Sequence, residues 1–416
     1  MSKLITNTIR HTGGSADNIT LDNSQNVTVE GNATVDGNLT ATGTTTISGY
    51  HPTTSRSNRN LMINGAMQVS QRGTSFHAEA YTLDRWEIVY GGTDEVPTIT
   101  QHALTSSDTG PWAKGFRNSL HVHNGNNTGG ADATDYMMMR YTVEAQDLAN
   151  SGWDYTSASS YITLSYWVKS SVAQNFYNYL RTRDGTEKLY CWETGSLSAN
   201  TWTKITKTIP GNSNITIDDD NGEGLYITIP MYWGANWTNN NSLNTWATYD
   251  SANRTPDNTS TWWTTNNATY ELTGIQLEVG DTATDFEHLS YHDDLLRCQR
   301  YYYEIARGDD KVIGLTMFYN DTGLRTAIRY PVQMRTTPSV KTSNTSGHFN
   351  CYSGDGSGSG SGTTTSAFAT FDTSPPYVDN NGIILASTVS DNNQSGQAGY
   401  ISTNHADAYI CLDSEL

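Results

Sequence analysis

Glycine recurs every six residues near the start of the chain, and this spacing limits the folds that the first fifty residues can adopt. An apolar residue stands two places before each glycine, which gives the pairs Val29 and Gly31, Val35 and Gly37, Ala41 and Gly43, and Ile47 and Gly49. Short strands turned by glycine at a fixed period are typical of β-helical winding, in which strands are covered only by stacked neighbours. Four hexads are too few for one chain to close such a stack. The spacing therefore predicts a short homotrimeric β-helical shaft.

An eight-residue echo precedes the hexads. The segment Asn18-Ile-Thr-Leu-Asp22 reappears as Asn26-Val-Thr-Val-Glu30, and both copies alternate apolar and polar residues. Such alternation predicts two short strands, each with one covered face. The alternative is a disordered linker rich in Thr, Asn and Gly, because low hydrophobicity favours disorder. The strict glycine spacing favours the shaft.

Composition narrows the class of protein. The 416 residues carry a net charge of −18, and only 16% are charged, against roughly 25% in an average soluble protein. Without a Lys/Arg cluster, binding to nucleic acid or to an anionic membrane is not expected. We expect no signal peptide and no membrane insertion, because no basic segment precedes an apolar run and no apolar stretch reaches the length of a spanning helix.

The four cysteines are far apart and lack the Cys-x-x-Cys spacing of zinc and redox sites, so we expect buried free thiols at Cys191, Cys298, Cys351 and Cys411. A β-rich chain of this composition resembles extracellular proteins in its Thr, Tyr, Asn and Gly content. Without a signal or a disulfide framework, it fits a protein made in a cytoplasm and released by lysis, such as part of a virus particle.

Strand patterns begin at Leu61, after a polar hinge at residues 51–59. Short alternating segments separated by turn signals predict a β-sandwich or jelly roll. The predicted strands are Leu61 to Val69, Arg85 to Tyr90, Ser119 to Val122, Tyr136 to Val143, Tyr161 to Val168, Phe176 to Arg181, Thr203 to Ile209, Gly224 to Tyr232 and Tyr270 to Val279. We expect Trp86 and Trp167 in the core of this sandwich, and an ion pair between Asp84 and Arg85.

A short helix is expected to leave the sandwich. Ser290-Tyr-His-Asp293 has the form of a capping box ahead of Leu295-Leu-Arg-Cys-Gln299, and the helix should end near Tyr301. Beyond it, residues 305–416 predict a smaller all-β domain. Its expected strands are Val312 to Tyr319, Leu324 to Val332, Ile383 to Val389 and Tyr409 to Leu412, and the run Ser353-Gly-Asp-Gly-Ser-Gly-Ser-Gly-Ser-Gly-Thr363 should be a loop or an insertion between strands.

Several segments between residues 60 and 303 carry a family resemblance. They are Asn60-Leu-Met-Ile-Asn-Gly-Ala-Met-Gln-Val-Ser-Gln-Arg-Gly73, Tyr81-Thr-Leu-Asp-Arg-Trp86, Tyr161-Ile-Thr-Leu-Ser-Tyr-Trp-Val-Lys-Ser-Ser171, and Leu272-Thr-Gly-Ile-Gln-Leu-Glu-Val-Gly-Asp-Thr-Ala-Thr-Asp-Phe-Glu287 running into Arg297-Cys-Gln-Arg-Tyr-Tyr-Tyr303. These segments resemble the tail-fibre and other fibre proteins of tailed bacteriophages. The resemblance implies a jelly roll akin to carbohydrate-binding modules, followed by a variable distal domain.

With this resemblance the chain divides into five parts. Residues 1–50 would be a virion-attachment shaft, 51–59 a hinge, 60–289 a carbohydrate-binding-like jelly roll, 290–304 a connecting helix and 305–416 a receptor-binding-like β-domain. The partners implied are two further copies of the chain, phage tail or adaptor proteins at the amino-terminal end, and a polysaccharide of the host cell surface. The protein would be located in the virion, after synthesis in the host cytoplasm.

Tryptophans concentrate between residues 233 and 263, around the polar segment Asn236-Trp-Thr-Asn-Asn-Asn-Ser242. Flat rings on loops stack on the apolar faces of sugars, and Asn and Asp side chains bond to hydroxyl groups. The predicted glycan-binding residues are Trp233, Trp237, Trp246, Tyr249, Trp262, Trp263 and Tyr352. Specificity would lie in these loops and in the loop from Gly347 to Ser366. In the alternative interpretation, the tryptophans pack between trimer neighbours or cover the edge of the sandwich.

Two weak metal patterns are present. Asp218-Asp-Asp-Asn-Gly-Glu223 offers oxygen ligands for Ca²⁺, chiefly through Asp218, Asp220 and Glu223, but its glycine position departs from the EF-hand pattern. A solvated acidic turn is the preferred interpretation. His121 and His123 lie on one side of a predicted strand, but the motif occurs only once. We therefore expect no cofactor.

No catalytic residues are predicted, since a nucleophile elbow and a His-Glu-x-x-His motif are absent from the sequence. The hypothesis of a catalytic pair of carboxylates from distant positions stays open, because the sequence does not give the distance between two such groups. The leading hypothesis is a non-enzymatic fibre subunit that recognises a host-surface glycan. The alternatives are a polysaccharide depolymerase tailspike and a structural decoration fibre of the head or collar.

Overall fold

The computed structural model describes residues 58–343, 345–354, 363–368, 371, 377–389 and 395–416, together with residues 8–9, 19–21 and 27–29. For residues 8–9, 19–21, 27–29 and 363–368 it describes the backbone alone. The chain forms two compact units, Met1–Pro52 and Thr53–Leu416. Within the described residues, no helix is long and apolar enough to cross a membrane.

The first unit contains a small antiparallel sheet. Its strands are β1 (Thr8–Ile9), β2 (Ile19–Leu21) and β3 (Val27–Val29), and β2 pairs with both of the others. The two echo segments thus form the neighbouring strands β2 and β3, as their alternation predicts. The hexads from Gly31 to Gly49, and the shaft predicted from them, lie outside the described residues.

The second unit begins with an antiparallel β-sandwich. Its elements in chain order are β4 (Ser75–Phe76), β5 (Ala80–Tyr81), β6 (Trp86–Gly91), β7 (Thr98–Ala103), a 3₁₀ turn (Trp112–Lys114), β8 (Asn118–His123), β9 (Tyr136–Glu144), α1 (Ala145–Ala149), β10 (Tyr161–Ser170), β11 (Asn175–Thr182), β12 (Lys188–Ser196), β13 (Thr203–Pro210), β14 (Glu223–Trp233), β15 (Trp246–Thr248), α2 (Thr261–Thr264) and β16 (Thr269–Val279). Six strands form one sheet, in the order β13-β10-β16-β8-β7-β4. Seven form the other, in the order β15-β12-β11-β14-β9-β6-β5.

The core of the sandwich lies between the two sheets and follows from the two-residue period of the strands. In β10 the residues Ile162, Leu164, Tyr166 and Val168 alternate into this core, because successive side chains of a strand point to opposite faces. Trp86 is fully buried there, as predicted. Trp167 is not, because its strand position turns it to the outer face of the six-stranded sheet.

Most predicted strands of the sandwich are confirmed to within two residues. The exception is Leu61 to Val69, which forms turns and irregular structure. There the side chain of Asn64 makes two hydrogen bonds to the backbone of Val69. Asn64 Nδ2 donates to the Val69 carbonyl at 2.8 Å, and Asn64 Oδ1 accepts from the Val69 amide at 2.9 Å. This local pairing replaces a sheet partner, and the polar residue is buried within an apolar run.

The helix start predicted at Ser290 is confirmed, although the Asp293 carboxylate bonds to the Ser290 hydroxyl and not to its backbone amide as in a full capping box. Helix α3 spans Tyr291–Gln299, and the Ser290 hydroxyl accepts a hydrogen bond from the Asp293 amide at 3.2 Å. In return Ser290 Oγ donates to Asp293 Oδ2 at 2.7 Å. These bonds satisfy a free donor of the first turn, which explains why the helix begins at this residue.

The remainder of the second unit, from Tyr302 onwards, is also β-structure with its own core, and we call it the second β-domain. Its strands are β17 (Tyr302–Arg307), β18 (Val312–Phe318), β19 (Gly323–Arg329), β20 (Ser339–Thr342), β21 (Phe349–Gly354), β22 (Thr363–Phe368), β23 (Gly382–Thr388), β24 (Ala398–Thr403) and β25 (Tyr409–Asp413). They form sheets in the orders β17-β25-β20 and β22-β21-β24-β18-β19-β23. Strands β21 and β22 are antiparallel neighbours, so the Gly/Ser run lies between two paired strands. The domain boundaries at residues 60, 290 and 305 stay a prediction.

Residues near the end of the sequence tie this part to the sandwich. Arg85 is 1% exposed and pairs with Glu415, whereas the predicted pairing of Arg85 with Asp84 is wrong. Both residues lie in the turn before β6, where Arg85 has a left-handed φ of +71°. Asp84 instead accepts hydrogen bonds from the Gln71 backbone amide at 2.7 Å and from the Gln71 side chain at 2.6 Å. Burial raises the pKa of Asp84 to about 6, against the opposing charge of Arg72. All four cysteines are buried thiols, as predicted.

Candidate functional site

The outer surface of the seven-stranded sheet carries a cluster of aromatic rings. On β9, Met137 and Met139 point into the core. Because side chains alternate along a strand, Tyr136 and Met138 point to the outer surface. Four half-buried rings lie on this surface, which we call the aromatic face: Tyr136, Tyr177, Trp237 and Tyr249. They rest on buried apolar side chains that include Trp233, Tyr179 and Cys191. Burial raises the pKa of the Cys191 thiol to about 12, so it is an inert apolar contact.

A long loop, residues 234–257, covers part of the aromatic face and presents two of its rings. The loop is held by its own backbone, because the Arg254 amide donates to the Trp237 carbonyl at 2.9 Å. It is also bonded to the sheet, since the amides of Asn244 and Tyr249 donate to the carbonyls of Cys191 and Glu187 at 2.8 and 2.9 Å. The polar segment at 236–242 is thus a loop, as predicted, and it is a fixed one.

Arg254 is placed against two tryptophans of the aromatic face. Its guanidinium carbon lies 4.4 Å from the centre of the Trp233 ring and 4.6 Å from that of Trp237. Among the described residues, no carboxylate lies within 4.0 Å of this guanidinium, whose Nε donates to the Ser251 carbonyl at 3.1 Å. The guanidinium is therefore positioned by stacking on the two indole rings and not by an ion pair with an acid. Trp237 adds a ring at 6.0 Å from Tyr136, nearly perpendicular to it.

A network of charged residues borders the rings on the same sheet surface. Arg140 pairs with Glu87 at 2.5 Å, and Arg183 pairs with Glu223 at 2.9 Å. The guanidinium carbons of both arginines lie within 5 Å of the Tyr226 ring. Burial, and next its hydrogen bond to Glu223, raise the pKa of Tyr226 to about 12, so this phenol is a donor over the ordinary pH range. The network is fully paired and fixes the arginine side chains.

Three of the predicted ligand-binding tryptophans are in the interior. Trp262 and Trp263 lie on the short helix α2 and are fully buried in the main core, and Trp233 is 2% exposed beneath the aromatic face. The prediction that these rings meet a sugar is corrected: their polar groups are directed inward, and the indole nitrogens of Trp262 and Trp263 donate to backbone carbonyls at 3.0 and 2.9 Å. Clustering in sequence does not distinguish a loop from a buried helical turn.

The other predicted aromatic residues are divided among three places. Trp237 and Tyr249 lie on the aromatic face, and the Arg181 guanidinium stacks on Tyr249 at 3.5 Å. Trp246 lies at the edge strand β15 and packs 5.3 Å from Tyr190, with its indole donating to the Pro210 carbonyl at 2.6 Å. This position matches the alternative in which a tryptophan covers the edge of the sandwich.

Tyr352 belongs to a different sheet from the tryptophans. It is half-buried on β21 and stacks on Tyr400 of β24, with ring centres 4.7 Å apart. The two tyrosines are directly paired in the strand register. Tyr352 is therefore not part of the aromatic face. It lies beside the exposed Tyr400 in the second β-domain.

The weak metal candidates are used in other ways. Glu223 pairs with Arg183 and accepts from the Tyr226 hydroxyl, while Asp220 accepts from the Gly222 amide at 2.8 Å. The amide of Asp218 donates to Asp184 at 2.9 Å. These bonds belong to a hydrogen-bonded turn. In the described part of the chain, no three His, Cys, Asp or Glu side chains are close enough to hold a metal ion.

The two histidines of β8 face the outer side of the six-stranded sheet. His121 contacts the Thr100 hydroxyl at 3.4 Å, and its ring centre is 5.3 Å from that of His102. His123 instead accepts from the Gly125 amide at 3.3 Å. Burial lowers the pKa of His121, so it is neutral at neutral pH.

Sequence reasoning missed Tyr136, Tyr177 and Arg254 as members of the aromatic face. The signal available for the first two was strand alternation, because each stands two residues from another outward-facing residue on its strand. Arg254 gave no local signal. Its place follows from the backbone bond that brings it next to Trp237, seventeen residues earlier in the chain.

No protein-family model matches this chain, and no curated protein matches it. Solved structures that match part of this chain include a phage tailspike domain and carbohydrate-binding modules. The enzymatically active domain of tailspike protein 4 of bacteriophage CBA120 superposes with a TM-score of 0.29 and 11% identity, over 53% of this chain and 21% of its own. The match thus spans about a fifth of the tailspike chain.

Two further comparisons involve carbohydrate-binding modules. A CBM4 module superposes with a TM-score of 0.28 and 10% identity, over 52% of this chain and 98% of its own. The tandem CBM22 domain of Xyn10C from Paenibacillus barcinonensis gives a TM-score of 0.26 and 10% identity, over 87% of this chain and 100% of its own. Likeness at this level carries no weight for what this chain binds, which rests on its own residues.

Proposed function

We propose that this protein is a non-enzymatic fibre subunit of a bacteriophage virion that binds a host-surface glycan on the aromatic face. The observation that carries the proposal is the platform of Trp237, Tyr136 and Arg254, with Arg254 stacked on two indole rings and free of acidic partners among the described residues. Sugars present apolar C–H faces and hydroxyl groups, which such rings and donors recognise. The virion role rests on the fibre-like segments between residues 60 and 303.

Replacing Trp237 with alanine is expected to weaken glycan binding by about 2 kcal/mol, or roughly thirtyfold. The indole is half-buried on the face, and its loss also removes one of the two rings that orient Arg254. An array of bacterial surface polysaccharides identifies the ligand, and titration calorimetry measures the affinity of each variant. Arg254→Ala should weaken binding in the same direction.

The matched control is Tyr291→Ala, since Tyr291 is an aromatic residue that is 55% exposed on α3, away from this sheet. Its affinity should equal that of the unaltered protein. Circular dichroism and the unfolding midpoint establish that the Trp237 variant is folded. If a folded Trp237→Ala protein bound its glycan with unchanged affinity, the aromatic face would not be the glycan site.

The depolymerase alternative has a direct assay. Incubating the protein with the polysaccharide that it binds and measuring chain length by size-exclusion chromatography should give an unchanged distribution. Shortened chains would overturn the non-enzymatic proposal and favour a tailspike. If the protein neither bound a polysaccharide nor competed with phage adsorption, a structural decoration fibre of the head or collar would be favoured.

The proposal includes a homotrimer, attached to tail or adaptor proteins through the amino-terminal unit, made in the host cytoplasm and located in the virion. The hexad spacing supports three chains. A second support is an apolar surface on the six-stranded sheet of the second β-domain, which we call the apolar patch: Leu315, Met317, Tyr319, Ile384 and Tyr400 are each between 38% and 83% exposed. In the strand register Leu315 lies directly opposite Tyr400. Exposed apolar residues grouped on one sheet are typical of a surface that contacts another protein.

Substituting Leu315 with aspartate is expected to weaken the trimer. Leu315 is 83% exposed, so the change leaves the fold of one chain intact but places a charge in a contact between copies. Light scattering should give a trimer for the unaltered protein and a smaller species at the same concentration for the variant. The control Val96→Asp alters a 56% exposed residue outside the patch. A monomeric unaltered protein would contradict the trimer, and a trimeric Leu315→Asp protein would contradict the patch as its contact.

A further inference from the structure

A cleft opens on the outer surface of the six-stranded sheet, on the opposite side of the sandwich from the aromatic face. It has a volume of about 290 Å³, just below the usual range for ligand pockets. The half-buried ring of Trp167 forms its floor. Two rings, Phe116 and Phe286, form a wall with centres 4.8 Å apart, and His288 lies about 5 Å from each.

The backbone of this cleft is shaped by two glycines. Strand β16 has a bulge opposite Ser165 and Trp167, and Gly274 at the bulge has a φ of +60°. A Cβ atom at Gly274 would lie 2.5 Å from Phe116, and one at Gly110 would lie 2.6 Å from the Trp167 ring. Both aromatic residues therefore pack directly against bare backbone, which fixes the ring positions without a covering side chain.

The cleft is bordered by cationic side chains in a chain whose net charge is −18. Lys204 is the direct cross-strand partner of Trp167 on β13, so the two side chains stand side by side on the same face. Lys114 also borders the cleft, and the one acid in the cleft lining, Asp285, is 95% exposed and 3.7 Å from Lys114. Among the described residues, no carboxylate lies within 4.0 Å of the Lys204 ammonium.

Lys169, on the same sheet, differs from Lys204 because it forms ion pairs within the protein. Lys169 pairs with Glu271 at 2.8 Å and with Asp108 at 3.1 Å, and it lies 4.8 Å from the Trp202 ring. Hydrogen bonds from Thr105, Trp202 and Lys169 lower the pKa of Asp108, although partial burial opposes them, so this acid is charged over the ordinary pH range. Lys169 is thus satisfied within the protein, whereas Lys204 is a cation beside an aromatic floor.

We propose that this cleft is a second saccharide site, and that it takes a sugar unit bearing a carboxylate. The sugar ring stacks on Trp167, and its carboxylate accepts hydrogen bonds from Lys204 and Lys114. The positive border concentrates an anionic ligand against the negative charge of the whole chain. This site does not depend on the aromatic face, which lies on the other sheet.

Galacturonate oligosaccharides are the probe, with galactose oligosaccharides of the same length as the neutral comparison. Titration calorimetry should show binding of the galacturonate probe to the full chain, at least about tenfold tighter than the neutral one. Lys204→Ala should weaken galacturonate binding about tenfold, and Trp167→Ala about thirtyfold. Binding should also weaken as salt is raised, because the ammonium groups lie near the surface.

Two controls separate this proposal from the first. Lys311→Ala removes an exposed lysine of the second β-domain and should leave galacturonate affinity unchanged. Trp237→Ala should likewise bind galacturonate as the unaltered protein does, whatever becomes of the glycan bound on the aromatic face. Lys204 is exposed, so its variant is expected to fold even if Trp167→Ala does not. Equal affinity for the charged and neutral probes, or unchanged galacturonate binding by a folded Lys204→Ala protein, would overturn the carboxylate site.

Discussion

Replacing Glu415 with alanine is expected to lower the free energy of unfolding by about 3–5 kcal/mol. The carboxylate is 3% exposed and pairs with Arg85, whose side chain is 1% exposed. A buried cation that loses its counter-ion keeps its desolvation cost, which is why removing one partner is far more damaging than the net value of the pair. Arg85 would retain a hydrogen bond to the Thr142 carbonyl at 2.6 Å and its stacking 3.5 Å above the Tyr301 ring.

Glu415 belongs to a wider network at the junction of the two β-regions. Its other oxygen pairs with Arg72 at 3.2 Å. The backbone nearby is held by Arg335, whose guanidinium donates to the carbonyls of Ser414 and Glu415 at 2.7 Å each and to that of Asn221 at 2.9 Å. Loss of Glu415 should therefore also loosen the second β-domain from the sandwich.

Urea unfolding followed by tryptophan fluorescence and by circular dichroism measures this effect. Glu415→Gln is the matched variant, because it keeps the shape and one acceptor, and it should lose less stability than the alanine variant. Asp407→Ala removes a carboxylate that is 84% exposed and should change stability by less than about 0.5 kcal/mol. If Glu415→Ala matched Asp407→Ala, the buried network would contribute nothing measurable.

Trp263→Ala is expected to cost about 3–5 kcal/mol, because it empties a large space in the main core. The indole is fully buried, lies 5.1 Å from the Tyr232 ring and donates to the Gly130 carbonyl at 2.9 Å. The alanine leaves both a cavity and a carbonyl without its donor. Denaturant unfolding gives the loss in stability.

Trp263→Phe provides the comparison for this prediction. It retains most of the ring volume but not the indole donor, so its cost should be clearly smaller than that of the alanine. The folded fraction of either variant should bind glycan with unchanged affinity, since the ring does not reach the surface. A stable Trp263→Ala protein with weakened glycan binding would reinstate this tryptophan as a ligand-binding residue.

The fate of the tryptophan cluster illustrates what local sequence does not contain. All five tryptophans lie within one polar stretch of sequence, yet Trp263 is fully buried, Trp246 covers an edge strand and Trp237 lies on a sheet surface. Burial depends on which sheet surface a loop meets. The seven-stranded sheet is made of strands between residues 80 and 248, most of which precede the cluster, so no window around the cluster determines it.

The sequence by itself determined those features that depend on residues close together along the chain. The alternation of β10 and the helix start at Ser290 depend on residues a few positions apart, and both are found as predicted. Arg85 is the opposite case. Its partner is Glu415 and not the adjacent Asp84, because a charge buried by long-range packing must take the acid that the tertiary fold brings to it. The tertiary structure alone therefore decided the buried Arg85–Glu415 pair, the aromatic face and the cleft at Trp167.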